Sequence, residues 1–349
     1  MPGVLITKGK IKMVKVAING FGRIGRLTFR ALVESGRTDI QVVAINDLGD
    51  VATQAHLLRY DSVHGKLKET VKVDGDKLVC GTQSPKYISY KDPKELPWKD
   101  MDVDVVFECT GIFTDKDKAV VHLEAGAKRV LVSAPSKGAD ITVVYGVNHD
   151  KISSEHLVVS NASCTTNCLA PVVFTLNNEI GISHGFMTTI HAYTGDQVPL
   201  DRDLKGNLYR SRAAACNIIP TSTGAAKAIG EVIPEMKGKL DGVATRVPTP
   251  DVSLVDFKFV AKRNTSVEEI NSIMSKAAAS PRFAGVLGVN DEALVSTDFI
   301  HDSRTSIFDL NETKVMEGNF VRVVSWYDNE WGFSNRMLDT AVAIAKTIK

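Results

Sequence analysis

The chain has 349 residues, of which 44% are hydrophobic and 24% charged, with a formal net charge of +1. That length favours two domains over a single core. The near-neutral balance excludes electrostatic capture of nucleic acid as a main task. No run of 18 apolar residues argues for a membrane span.

Residues 1–12 read as a short basic N-terminal extension without the apolar stretch of a secretory leader. Lys15 to Asn19 reads as a strand, and Gly20-Phe21-Gly22-Arg23-Ile24-Gly25 follows it directly. Arg26 to Ser35 then reads as a helix ended by Gly36. Ile40 to Asp47 is a second strand, closing on Asn46 and an acid, Asp47. Strand, G-x-G-x-x-G, helix, strand and acid together form a dinucleotide-binding unit. Gly20, Gly22 and Gly25 serve a tight turn, approach of a pyrophosphate and close helix–strand packing. The pyrophosphate sits on the helix N-terminus, and Asp47 accepts from the adenine ribose. A structural Gly turn in another α/β sheet is the alternative.

Ala52 to Arg59 reads as a short helix, and Leu67–Val73, Lys77–Val79 and Tyr87–Tyr90 as an inserted antiparallel patch. Val103 to Cys109 is a strand, Lys116 to Ala125 a helix and Lys128 to Ser133 a strand. Thr110, Gly111 and Ser133 fall at strand ends, where an open parallel sheet takes its ligand. Ile141 to Tyr145 and Leu157 to Val159 complete the sheet.

The chain then enters Ser160-Asn161-Ala162-Ser163-Cys164-Thr165-Thr166-Asn167-Cys168, before an apolar helix from about Thr166 to Asn178. A helix start supplies free N–H groups and a positive dipole end. Both lower a thiol pKa and stabilise an oxyanion formed when the thiolate attacks a carbonyl. Two buried structural cysteines in a Thr-rich turn is the alternative. The five cysteines are odd in number, so a disulfide framework is not expected. No second pair of Cys or His with ligand spacing follows Cys164 and Cys168, so no metal is expected.

Gly185 to Tyr193 is a strand carrying His191, 27 residues beyond Cys164. A thiol and an imidazole that meet in space make an activated nucleophile; a hydrogen-bonded strand-end histidine is the alternative. Residues 194–217 lack periodicity, and so long a loop is functional or interfacial. Ile218 to Lys227 reads as a hydroxyl-rich loop capping a helix, suited to a phosphate. Arg246 lies on an apolar strand and needs an anion; a substrate phosphate fits. Val252–Val260, Val286–Gly288, Ile307–Asp309 and Val321–Trp326 are strands, and Val267–Ser280 and Ser334–Ile348 are helices. The last is expected to pack back onto the first domain.

From Val14 onward the chain closely resembles the phosphorylating glyceraldehyde-3-phosphate dehydrogenase family. The resemblance rests on Ile18-Asn19-Gly20-Phe21-Gly22-Arg23-Ile24-Gly25-Arg26, on Ser160 to Asn167, and on Tyr327-Asp328-Asn329-Glu330-Trp331-Gly332. It implies an NAD-dependent oxidation of D-glyceraldehyde 3-phosphate with inorganic phosphate as acyl acceptor. Cys164 resembles the nucleophile and His191 its base. Arg23 and Ile24 would line the cofactor site, and Asn329 would hold the nicotinamide amide. Thr194 and Arg246 resemble the substrate-phosphate site. Ser163, Thr165, Thr223 and Gly224, assisted by Arg210, resemble the inorganic-phosphate site.

The resemblance also implies a cytoplasmic homotetramer in which the 194–217 segment lies beside a neighbour's cofactor. Arg202 and Asp203 stand where many NAD-using members carry proline, and Asp47 and Asp203 still favour NAD over NADP. Oxidation of erythrose 4-phosphate is the nearest alternative activity. The expected fold is α/β plus α+β. A Rossmann-type domain spans 13–163 and is completed by 330–349; a mostly antiparallel catalytic domain spans 164–329.

Overall fold

A computed structural model describes residues 13–348. The expected extension at 1–12 lies outside the described residues. Among those residues, no helix is long and apolar enough to cross a membrane.

The first half builds a nine-stranded sheet. Its order is Ile141–Thr142, Val158–Ser160, Arg129–Val132, Val105–Glu108, Val14–Asn19, Ile40–Asn46, Lys86–Ile88, Lys77–Cys80 and Val71–Asp74. The first seven strands are mutually parallel, and the last two turn antiparallel. Val14–Asn19 pairs with Ile40–Asn46 on one side and Val105–Glu108 on the other, so the winding reverses there. A crevice opens beyond the strand ends at such a reversal.

Several elements differ from the sequence reading. The first helix is Arg23–Ser35 and begins right after Gly22, whose backbone is extended, so the glycine turn feeds it without a spacer. Gly36, with φ 63, ends it. The antiparallel patch is not separate, because Lys86–Ile88 pairs in parallel with Ile40–Asn46 and joins the patch to the sheet. The segment Lys116–Ala125 is two short turns, Lys116–Ala119 and Val121–Glu124. The strand at 141 stops at Thr142, because the Asn148 side chain takes the Val144 N–H at 2.9 Å and bends the chain.

The second half builds a seven-stranded mixed sheet, mostly antiparallel. Its order is Ile219–Ser222, Leu240–Val247, Ile182–Ala192, Ser253–Ala261, Phe320–Tyr327, Ser306–Met316 and Leu287–Asn290. The expected hydroxyl-rich loop at 218–224 is therefore partly an edge strand, and its Pro220 is tolerated there. Helices Cys164–Glu179, Ala225–Val232 and Val267–Ala278 contribute Leu169, Val173, Ile229, Ile270 and Met274 to the core this sheet shares. The final helix, Trp331–Ala345, places Met337, Leu338 and Ile344 in the other core, with Leu27, Phe29 and Leu32 of the first helix. Cys164 packs against both cores. It stands at the seam between the two sheets.

Candidate active site

The strand Val158–Ser160 turns into the helix Cys164–Glu179 within three residues. Ala162 takes a left-handed φ of 57 to make that turn. A non-glycine residue there costs on the order of 1 kcal/mol. The Ser160 hydroxyl receives the Ala162 N–H at 3.1 Å, and the Asn167 side chain ties down the Asn161 and Ser163 carbonyls at 2.8 and 3.0 Å. Ser163 caps the helix, its Oγ accepting from the Thr166 N–H at 3.0 Å. Cys164 is thus the first helical residue, where N–H groups have no helical acceptor.

His191 lies near the end of Ile182–Ala192, and its Nε2 is 3.5 Å from the Cys164 Sγ. Its Nδ1 lies 2.7 Å from the Ala192 carbonyl oxygen. An Nδ1–H donated there leaves the Nε2 lone pair facing the sulfur. In the adjacent parallel strand Arg246 is the register partner of His191. Arg246 Nη1 donates to the same Ala192 oxygen at 2.9 Å, and its buried Nε has no protein partner.

Burial pushes the Cys164 thiol above its ordinary value, against the opposing pull of the Arg246 charge and of hydrogen bonds from Thr165. Burial, with the Arg246 charge, pushes His191 down to about 3. The helix-start N–H groups still pull the thiol pKa down, and desolvation is the larger influence. Burial thus disfavours charge on both members of the pair. The imidazole retains an open lone pair for the thiol proton.

Thr194 and Arg210 meet on Asp196, whose carboxylate accepts from the Thr194 hydroxyl and pairs with the Arg210 guanidinium. Charges on Arg210 and Asp196 both reach Arg246. Thr223 and Gly224 precede the helix Ala225–Val232, with the Thr223 Oγ accepting from the Ala225 N–H at 3.2 Å. The Thr166 hydroxyl, 3.4 Å from the Ala225 carbonyl, holds this helix start beside that of Cys164. The Thr165 side chain is buried, with Oγ 2.9 Å from the Tyr327 hydroxyl. Sequence reasoning missed Asp196, Tyr327 and Ser253. The Ser253 hydroxyl accepts the Ala192 N–H at 3.0 Å and donates to Asn329 at 2.7 Å. Tyr327 opens the motif that runs to Gly332 without its hydroxyl's role being visible there, and no local pattern marks the other two.

At the crevice of the first sheet lies a cavity of about 500 Å³, lined by Gly20, Gly22, Asn46, Asp47, Thr110 and their neighbours. A Cβ at Gly20 would stand 2.7 Å from the Thr110 nitrogen, and one at Gly25 2.1 Å from the Gly20 oxygen. Around Gly22 the space is open. The first and third glycines pack backbone on backbone, and the middle one faces the cavity, as a pyrophosphate cradle requires. Asp47 Oδ2 accepts from the Phe21 N–H at 2.7 Å, and Oδ1 from the Gly49 N–H at 2.8 Å. Arg23 turns away from this cavity to pair with Asp61 and Glu330. The Ile24 backbone stays in the helix's first turn. Gly111, with φ 72, follows Thr110, and the Ser133 N–H donates to the Glu108 carbonyl at 3.0 Å.

Residues 14–116 match the family model of the glyceraldehyde 3-phosphate dehydrogenase NAD binding domain, and residues 163–329 that of its C-terminal domain. The chain is 66% identical to a glyceraldehyde-3-phosphate dehydrogenase of Xanthobacter flavus, over 95% of this chain and 99% of the relative. It is 61% identical to one of Cereibacter sphaeroides and 55% identical to one of Zymomonas mobilis, each over 96% of this chain and 99% of the relative.

Proposed function

This chain belongs to the glyceraldehyde-3-phosphate dehydrogenase family, and from that premise we infer which of its residues carry the reaction. The protein oxidises D-glyceraldehyde 3-phosphate reversibly to 1,3-bisphosphoglycerate, with NAD and inorganic phosphate. Bound NAD supplies the hydride acceptor. The glycine turn, the first-turn N–H groups of Arg23 and Ile24, Asp47 beside Asn46, and Thr110, Gly111 and Ser133 would hold it. Asn329, its oxygen engaged by Ser253, would offer its amide N–H to the nicotinamide amide.

Cys164 is the nucleophile in this reading. As Sγ bonds to the aldehyde carbon, His191 Nε2 takes the thiol proton. The carbonyl electron pair moves onto oxygen, where the Cys164 N–H and the imidazolium receive it. The imidazolium returns its proton to give the thiohemiacetal, then takes the hydroxyl proton as hydride departs. The carbon is now a thioester, oxidised by two electrons. An oxygen of inorganic phosphate bonds to that carbon, and the thiolate leaves with the C–S electron pair. The product is an acyl phosphate. Thr194 and Arg246 hold the substrate phosphate. Ser163, the Thr165 N–H, Thr223, Gly224 and Arg210 hold the attacking one, between two helix starts.

The 3.5 Å contact between Cys164 Sγ and His191 Nε2 carries this assignment. Quenching the reaction with NAD present and phosphate withheld tests it. Mass spectrometry is expected to find the acyl group on Cys164; an unacylated Cys164 under turnover sinks the assignment.

Residues 13–163 with 330–349 serve as the cofactor domain and 164–329 as the catalytic domain. The assembly is a homotetramer in this reading. Supporting it, Phe186, Val243, Met316 and Phe320 are exposed on the second sheet, and Leu200, Leu208 and Tyr209 on the 194–217 loop. So much open apolar surface suits subunit contact. A cytoplasmic, reducing compartment suits five free thiols.

A further inference from the structure

Away from Cys164, three side chains from distant parts of the chain converge beneath the start of the last helix. His64 Nε2 lies 3.7 Å from an Asp251 oxygen and 3.4 Å from a Glu330 oxygen. The three ligand atoms all lie within 4.8 Å of one another. The His64 and Asp251 side chains are fully buried. A tetrahedral centre with bonds of about 2.1 Å to N and O ligands has edges of about 3.4 Å.

What distinguishes this cluster from an ordinary buried ion pair is Asp251. Neither oxygen of Asp251 receives a hydrogen bond. His64 Nδ1 lies 3.1 Å from His301 Nδ1, and His301 Nε2 lies 2.7 Å from a Glu34 oxygen. Glu34 accepts, so His301 carries its proton on Nε2. His301 Nδ1 therefore accepts from His64 Nδ1–H. His64 Nε2 faces the two carboxylates, within hydrogen-bond reach of the Glu330 oxygen at 3.4 Å, where a cation would replace the bridging proton. A carboxylate-backed imidazole presenting its other nitrogen is the arrangement that supports a metal-bound histidine. His301 stacks on Trp331 at 3.7 Å, which fixes the relay.

The surrounding charges leave room for a cation. Arg23 forks Glu330, with Nε on Oε1 at 2.9 Å and Nη2 on the Oε2 that faces His64, and its charge is also met by Asp61 at 2.5 Å. Asp328 is occupied by backbone N–H groups of His301, Glu330 and Trp331. Glu330 and Arg23 also line a cavity of about 370 Å³ next to Thr194, which gives an approach from solvent.

We propose that His64, Asp251 and Glu330 form a site for one divalent transition-metal cation of the zinc type, separate from the Cys164 centre. Imidazole with carboxylates suits such an ion, with water in the fourth position. The site joins the loop after Tyr60–Asp61, the turn before Ser253–Ala261 and the start of the last helix. It would clamp the segment carrying Asn329.

The test uses full-length protein with Cys164→Ala, which removes the competing thiolate, and Co²⁺ as the probe. One Co²⁺ per chain is expected, with visible d–d absorption and no thiolate charge-transfer band. Asp251→Asn and His64→Asn in that background should each weaken uptake by about tenfold or more. X-ray absorption of the zinc-loaded Cys164→Ala protein should show one imidazole and oxygen neighbours. That measurement decides the matter if a pocket variant fails to fold. The proposal is overturned if Cys164→Ala takes up no Co²⁺, if folded Asp251→Asn binds it equally well, or if sulfur appears among the neighbours.

Discussion

Arg246 and His191 are partners across two parallel strands, and Arg246 Nη1 lies 2.8 Å from His191 Nδ1. Arg246 Nη1 also donates to the Ala192 carbonyl oxygen, which lies 2.7 Å from His191 Nδ1. A permanent cation is thereby fixed behind the imidazole that faces the sulfur. It opposes protonation of His191 and favours ionisation of Cys164.

Arg246→Leu should therefore do two things. The KM for D-glyceraldehyde 3-phosphate should rise by about tenfold or more, on the order of 1.4 kcal/mol, from loss of the phosphate partner. The pH profile of Cys164 alkylation by iodoacetamide should also move to higher pH, because the charge favouring the thiolate is gone. An unchanged KM would remove Arg246 from the substrate-phosphate site. An unchanged alkylation profile would break the electrostatic link to the thiol.

The depressed histidine sets a pH dependence whose sign is fixed. His191 has an ordinary value of 6.5 and is pushed to about 3 in the fold. Between those values the unfolded chain binds a proton that the folded chain refuses. Its contribution to stability is complete above pH 6.5 and is lost as pH falls towards 3. Denaturant midpoints should drop over that window, and His191→Gln should drop less. A variant that tracks the wild type through the whole window would contradict a buried neutral imidazole.

The local parts of this protein were legible because their signals are local. Gly20 to Gly25 between two apolar strands, and Cys164 at a strand-to-helix turn, declare themselves in a few residues. Register does not. Nothing near His191 in sequence announces that Arg246, 55 residues later, will be its cross-strand partner. Ser253, linking Ala192 to Asn329, is equally silent, because its partners come from another strand and from the turn before the last helix. Thr165 is named by the motif, but only tertiary packing shows its hydroxyl beside Tyr327. Burial of the thiol is likewise a property of the fold and not of the helix start.

Asp47 should decide cofactor choice. Its two oxygens already bind the Phe21 and Gly49 N–H groups, which fixes the carboxylate at the lip of the cavity. A 2′-phosphate there meets a carboxylate it cannot pair with. Asp47→Gly should raise the KM for NAD and cut the preference for NAD over NADP by about tenfold or more, a change of order 1.4 kcal/mol. Steady-state rates with both nucleotides measure it. Retention of the full preference would point to discrimination elsewhere, with Arg202 and Asp203 the next residues to change.

Gly25→Ala asks whether the third glycine is structural. Its Cβ would stand 2.1 Å from the Gly20 oxygen, and backbone cannot yield as a side-chain tip can. The first helix must move off its strand, at about 1–3 kcal/mol. Both the denaturant midpoint and NAD affinity should fall, because the same turn shapes the cradle. Gly22→Ala meets open space and should spare stability while weakening NAD. Equal stability for both variants would refute the packing role.

Tyr327 is the last residue before the Asp328-Asn329 segment, and its buried hydroxyl lies 2.9 Å from both Thr165 Oγ and Thr189 Oγ. Thr165 follows Cys164, and Thr189 precedes His191 by two residues on its strand. One phenol thus ties the thiol's helix to the imidazole's strand. Tyr327→Phe removes both links and leaves two buried hydroxyls unpaired, at about 1–3 kcal/mol. The denaturant midpoint should fall accordingly. If the tie also sets the 3.5 Å spacing of sulfur and Nε2, kcat should drop while the KM for NAD stays put. A double-mutant cycle with Thr165→Val separates the pair from general destabilisation: contacting residues couple by about 0.5–3 kcal/mol. Additive losses would mean that the phenol only fills space.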